Sequence, residues 1–160
     1  MEKTLKVINA MKHAGIIKDY AIGGGIGTIF YTESFHTKDL DIFVYPKIVA
    51  GLIRLDDIND YLKSKGYRRA GQYVIIEGVP VDFIPVYDEL TQEALKKSIT
   101  KSFRNIKVKV FRPEYLIAIA IKTARAQDSL KADRIIKQTA INKRLLSGIL
   151  KRHNLKYDFN

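Results

Sequence analysis

Tyr20-Ala-Ile-Gly-Gly-Gly-Ile-Gly-Thr28 and, eleven residues further on, Asp39-Leu-Asp-Ile-Phe-Val44 are the two segments whose reading decides the fold. The first is a short apolar run closed by three glycines. The second alternates: strand side chains point to opposite faces in turn, so Asp39 and Asp41 share one face and Leu40, Ile42 and Val44 the other. The pattern predicts a strand over 19–22, a tight connection through Gly23, Gly24 and Gly25, a helix near 26–32 and a strand over 39–44. Backbone N–H groups in such a glycine connection can approach an anion without side-chain interference. A third carboxylate, Asp82, lies in a later apolar run, Val81-Asp-Phe-Ile84, and pairing the two runs as strands sets it beside the first two.

Carboxylates so close repel one another unless a cation neutralises them, and hard oxygen donors suit Mg²⁺ or Mn²⁺. Three of them could hold two ions, one activating an attacking oxygen and the other holding a triphosphate and its departing pyrophosphate. Taken alone, an Asp-x-Asp pair is commonly two solvated acids and a glycine cluster a plain turn. The ordered set of strand, Gly-Gly, helix, Asp-x-Asp strand and later Asp strand is far more specific.

Working outward, apolar spacing predicts a helix over 3–14, a largely helical stretch over 47–65 ended by Gly66, and strands over 72–77 and 81–86 joined by Gly78-Val79-Pro80. A helix over 89–98 and an alternating strand over 106–110 follow. From Pro113 the chain turns helical: Tyr115 to Ile121 is apolar on every side, as in a buried helix, and two more helices are expected over 130–138 and 141–152. The expected architecture is an α/β (α+β) core with a mixed sheet over 1–111, followed by C-terminal helices over 112–160 packed on it.

The 160 residues carry a formal net charge of +11 and no cysteine, which excludes disulfides, thiolate metal sites and a cysteine nucleophile. Residues 81–160 hold 17 Lys/Arg against 8 Asp/Glu, whereas residues 1–80 hold 11 against 9. A basic half favours a polyanionic partner such as a nucleoside triphosphate or RNA, or simply keeps the surface solvated. No apolar run approaches the length of a membrane span, and the N-terminal segment lacks the apolar core of a secretory signal, so a cytoplasmic protein with no membrane partner is expected. Neither a P-loop, a zinc motif nor a Ser-His-Asp arrangement is evident, and His13, His36 and His153 show no metal-ligand spacing.

Several residues are candidates for holding phosphate. Lys122 and Arg125, three apart, are expected on one face of the buried helix, with pairing to Asp128 as the plainer reading. Lys38 adjoins Asp39, and Thr28 lies one turn into the glycine-led helix. Lys96, Lys97, Lys101, Arg104, Lys107 and Lys109 are a candidate RNA surface or a solvated face. His36, Tyr31 and Phe35 either frame a base or pack in the core.

Gly23-Gly24, Asp39-x-Asp41 and Asp82 resemble the hG[GS], Dh[DE]h and h[DE]h signature of the DNA polymerase β nucleotidyltransferase superfamily. Residues 20–44, 78–94 and 112–128 are further similar to small prokaryotic nucleotidyltransferases related to the AbiEii toxins. The resemblance implies a polymerase-β-type core and transfer of a nucleoside monophosphate from an NTP to an acceptor. It implies two Mg²⁺ (or Mn²⁺) ions held by Asp39, Asp41 and Asp82, with Gly23 and Gly24 cradling the triphosphate. The acceptor would be tRNA or another RNA, or a protein hydroxyl, in a toxin–antitoxin or abortive-infection setting with a cognate antitoxin. An aminoglycoside is disfavoured, because the net positive charge repels a polycation. Two positions depart from the pattern: Phe35 and Gln127 stand where relatives often carry a basic residue. A catalytically silent module that binds RNA or a partner protein is the alternative.

Overall fold

Alternating strands that are apolar on both faces need cover on both sides, and the chain supplies it with helices on each face. The computed structural model describes residues 1–157. Seven strands form one mixed sheet: β1 (Tyr20–Ile22), β2 (Leu40–Val44), β5 (Arg68–Ala70), β6 (Tyr73–Ile76), β7 (Val79–Pro85), β8 (Ile99–Phe103) and β9 (Ile106–Val110), in the order β5-β6-β7-β2-β1-β9-β8. The β2–β7 and β1–β9 pairs are parallel and the rest antiparallel.

Period-two alternation divides the core. Leu40, Ile42 and Val44 join Tyr20, Ile22, Val81, Val108 and Val110 on one face, covered by Leu5, Ile8 and Met11 of α1 (Glu2–His13) and by Ile58 and Leu62 of α3 (Asp56–Ser64). Ala21, Phe43 and Phe111 occupy the opposite face. They pack beneath α4 (Glu89–Lys96), α5 (Pro113–Thr123), α6 (Ala126–Gln138) and α7 (Lys143–Arg152). Pro113 opens α5, whose residues from Pro113 to Ala118 are all buried. Buried Glu114 accepts the Asn142 N–H at 2.8 Å, which ties α5 to the start of α7. Glu93 of α4 accepts from Tyr115, Arg152 and His153. Those bonds outweigh the burial that would raise it and hold its carboxyl down to about 2. Among the described residues, no helix is long and apolar enough to cross a membrane.

The mixed α/β sheet with trailing helices agrees with the expectation, and four details differ. Residues 47–54 form an antiparallel hairpin, β3 (Lys47–Val49) with β4 (Leu52–Arg54), instead of the start of a helix. Ala50 and Gly51 both take positive φ at its tip, a turn geometry that a helix cannot contain. The turn before β7 is Glu77-Gly78, both at positive φ, so Val79 and Pro80 already belong to the strand. β5 and β8 lay outside the expected strands, and α6 begins at Ala126, four residues before the expected start.

Candidate active site

Strand register assembles the carboxylates. β2 and β7 run parallel with Leu40 opposite Val81 and Asp41 opposite Asp82, so these two acids are neighbours on the face beneath α5 and α6. Asp39 precedes β2 by one residue. All three line one open cleft of about 1110 Å³ between the sheet and those helices. The cleft is also lined by Gly24, Thr28, Lys38, Lys122 and Arg125, so all but one of the residues expected at the site meet there. Gly23 lies just behind, where a side-chain Cβ would stand 2.4 Å from the Phe43 ring.

The glycine connection is a spatial requirement. Gly24 has φ +53, and a Cβ on it would lie 1.5 Å from an Asp41 carboxylate oxygen. A Cβ on Gly25 would lie 2.4 Å from Thr37 Oγ1. Only glycine lets the first turn of α2 (Gly24–Ile29) close onto the acid. The Gly23 N–H donates to the Asp41 carbonyl at 3.1 Å, and the buried Thr28 hydroxyl donates to the Gly24 carbonyl at 2.9 Å, which fixes that turn. Thr28 therefore supports the connection.

The opposite wall is basic. Lys122 pairs with Asp88 at 3.0 Å, and Lys131 with Asp128 at 2.9 Å. The Arg134 guanidinium lies 5.0 Å from the centroid of the Phe35 ring. Arg125 does not continue the face of α5 as expected: Ala124 turns left-handed at φ 52, and Arg125 becomes the residue that starts α6. Asp128, expected as a partner of Lys122 or Arg125, is bound to Lys131 and to the Thr123 hydroxyl. Lys131 and Arg134 were not legible as site residues, although their spacing from Asp128 along a helix puts all three on one side. Arg134 stands over Phe35, and Lys131 lies one turn beyond Gln127 on the same helix, so a cation adjoins each position that lacks one.

Burial and the charge of Asp39, reinforced by Asp82 and Asp128, push the Asp41 carboxyl up to about 6, with Lys131 opposing the rise. Asp82 is likewise raised, chiefly by burial. Such carboxylates gain most from a cation, and their oxygen-only donor set fits Mg²⁺ or Mn²⁺. Two neighbours adjoin them. Gln72 Nε2 donates to Asp82 Oδ2 at 2.9 Å, and Tyr73 lines the same cleft, where the negative charge of Asp39 raises its phenol. Among the described residues, no three His, Asp or Glu side chains converge closely enough to enclose an ion as they stand.

The expected RNA surface is not continuous with the cleft. None of Lys96, Lys97, Lys101, Arg104, Lys107 and Lys109 lines it. Lys109 pairs with Asp19 at 2.7 Å, Arg104 with Glu2 at 3.1 Å, and Lys101 lies over the Tyr31 ring. The Tyr31 hydroxyl is spent on the Phe111 carbonyl, while Phe35 and His36 do line the cleft.

By sequence the chain matches no family model and no curated protein. By structure it is similar to an antigenic nucleotidyltransferase-like protein from Paracoccidioides brasiliensis, with TM-score 0.54 and 19% identity over 95% of this chain and 87% of that one. It is also similar to the antibiotic-resistance factor ANT(2'')-Ia, with TM-score 0.60 and 12% identity over 96% and 91% of the two chains. At these identities the likeness establishes the nucleotidyltransferase fold.

Proposed function

We propose that the chain is a metal-dependent nucleotidyltransferase that moves a nucleoside monophosphate from an NTP to a hydroxyl of RNA or protein. The observation that carries the reading is the parallel register that seats Asp41 beside Asp82, with Asp39 next to them, across a cleft from four cations of α5 and α6. Acid and base on facing walls suit a substrate that is itself a polyanion carrying divalent cations.

Two Mg²⁺ or Mn²⁺ ions would supply neutralisation of the triphosphate and acidification of the attacking hydroxyl. Asp39 and Asp41 would hold both, and Asp82 the one on the acceptor side. Asp82, already raised toward protonation, is placed to take the acceptor's proton. Gly24, which lines the cleft beside Asp41, would offer its backbone to the triphosphate, and Gly23 behind it sets the turn. Lys122, Arg125, Lys131 and Arg134 fix the triphosphate so that pyrophosphate leaves in line, and Lys38 adds a charge at the mouth. Positioning and preorganised charge provide most of the acceleration.

Residues 1–111 form the catalytic core in this reading, and 112–160 the helical region that closes over it. The basic half of the chain favours an RNA acceptor, with tRNA as the leading form, and weighs against a polycationic acceptor such as an aminoglycoside. A toxin role of the AbiEii kind, with a cognate antitoxin in the cytoplasm, is the setting this implies. A silent binding module is the second reading, favoured by the Gln72 amide that donates to Asp82.

The test incubates the protein with each labelled NTP, Mg²⁺ or Mn²⁺, and total RNA or cell lysate, and compares Asp39→Ala. Label on RNA or protein with the wild type alone establishes transfer and names the acceptor class. Absence of both label and nucleotide binding sinks the enzymatic reading in favour of the silent module.

A further inference from the structure

The hydroxyl groups that line the cleft have distinct fates. Thr28 donates to the Gly24 carbonyl, Thr37 packs against Gly25, Thr91 is engaged by Asp88, and Thr123 bonds to Asp128. Tyr87, 68% exposed, stands at the rim. Tyr73 differs from these because it lines the cleft on the strand beside the carboxylates, where the charge of Asp39 acts on its phenol.

Its place follows from the sheet. β6 and β7 are antiparallel with Val74 opposite Val81, and the next position in the same register sets Tyr73 against Asp82, which is itself opposite Asp41. Tyr73, Asp82 and Asp41 thus form a row across three adjacent strands, on the cleft face, with Asp39 beside it. The segment is held there by the neighbouring Gln72 to Asp82 bond at 2.9 Å and by the tight Gly71 turn at φ +63 that joins β5 to β6.

We propose that Tyr73 is a nucleotidyl acceptor, so that the protein modifies itself by linking a nucleoside monophosphate to this phenol; the inference rests on the transferase reading. The phenolic oxygen forms a bond to the α-phosphorus of the bound NTP, and the bond from that phosphorus to the α,β-bridging oxygen breaks. Pyrophosphate leaves and the phenolic proton passes to Asp82 and then to water, giving a tyrosyl phosphodiester. A hydroxyl already tethered beside the catalytic acids has the proximity advantage of an intramolecular reaction, which an external acceptor must obtain by binding.

The experiment incubates full-length protein with each NTP and Mg²⁺ or Mn²⁺, then sequences the tryptic peptide Ala70 to Lys96 by tandem mass spectrometry. That peptide holds both Tyr73 and Tyr87, and fragment ions separate them. The expected result is one nucleoside monophosphate on Tyr73, absent from Tyr73→Phe and from Asp39→Ala and retained by Tyr87→Phe. A second measurement needs no turnover: in protein with isotope-labelled tyrosine, the Tyr73 ring resonances should move when Mg²⁺ and an α,β-methylene NTP are added together. An adduct on another residue, or labelled RNA with an unmodified Tyr73, overturns the proposal and leaves the transferase standing. Static Tyr73 resonances under saturating nucleotide also overturn it. Absence of transfer to any acceptor overturns both readings.

Discussion

Replacing Asp41 by Asn removes a charge that the folded state holds at a cost. Burial, with Asp39 and Asp82 near, moves its carboxyl from the ordinary 3.8 up to about 6. A proton held that much more tightly in the folded state corresponds to roughly 3 kcal/mol of folding free energy lost at neutral pH, since each tenfold gain in proton affinity is about 1.4 kcal/mol. Because the folded-state value lies above the unfolded one, the penalty is fully present above about pH 6 and fades as pH falls through 6 toward 3.8. Asp41→Asn should therefore raise the melting temperature by about 5–10 °C at pH 7.5 in a chelator, and by little at pH 4. Thermal and urea unfolding at both pH values measure this. Adding Mg²⁺ should stabilise the wild type and leave the variant unmoved. A variant no more stable than the wild type at pH 7.5, or an advantage that persists unchanged at pH 4, would refute the reasoning that the acids are held together under mutual strain.

Gly24→Ala, whose new Cβ would sit on the Asp41 carboxylate, should cost about 2 kcal/mol or more by urea denaturation and abolish nucleotide binding by calorimetry. Lys131→Ala and Arg134→Ala should each raise KM for the NTP by roughly tenfold, with the double variant losing more, as steady-state kinetics would show. Glu93→Gln should destabilise the fold by about 1 kcal/mol after allowance for solvent screening. Since the Glu93 carboxyl is lowered from 4.5 to about 2, its contribution is present above pH 4.5 and lost as pH falls toward 2. Comparing unfolding of the two proteins at pH 7 and pH 3 checks this.

The acidic half of the site was legible because strand alternation is a short-range signal: in Asp39-Leu-Asp-Ile-Phe-Val44 it fixes which side chains share a face before any partner is known. The pairing of Asp41 with Asp82 needed only that two apolar runs become neighbours. The basic half was less legible, because a helix boundary decides it. Ala124 in a left-handed conformation separates Lys122 from Arg125, and the early start of α6 puts Asp128 on one helix with Lys131 and Arg134. Nothing in the local spacing marks a left-handed alanine. In residues 47–54 the apolar residues Ile48, Val49, Leu52 and Ile53 recur at i, i+1, i+4 and i+5, which mimics a helical stripe. They line an exposed hairpin, and Gly51 was the available clue. Tyr73 lay in an expected strand, but its importance appears only once β6 is placed against β7.

The pairing of Ile22 with Val110 brings together positions far apart in the chain, and the cations of α6 follow later still. On a ribosome that order has a temporal meaning. Both glycine connection and acids emerge early, yet β1 waits for β9 before it has a parallel neighbour, and the cleft has no far wall until the last quarter of the chain is free. Non-local closure of this kind slows folding. A nascent or prematurely terminated chain ending before Pro113 would carry all three acids while leaving Phe43 and Phe111 bare, a species prone to aggregate.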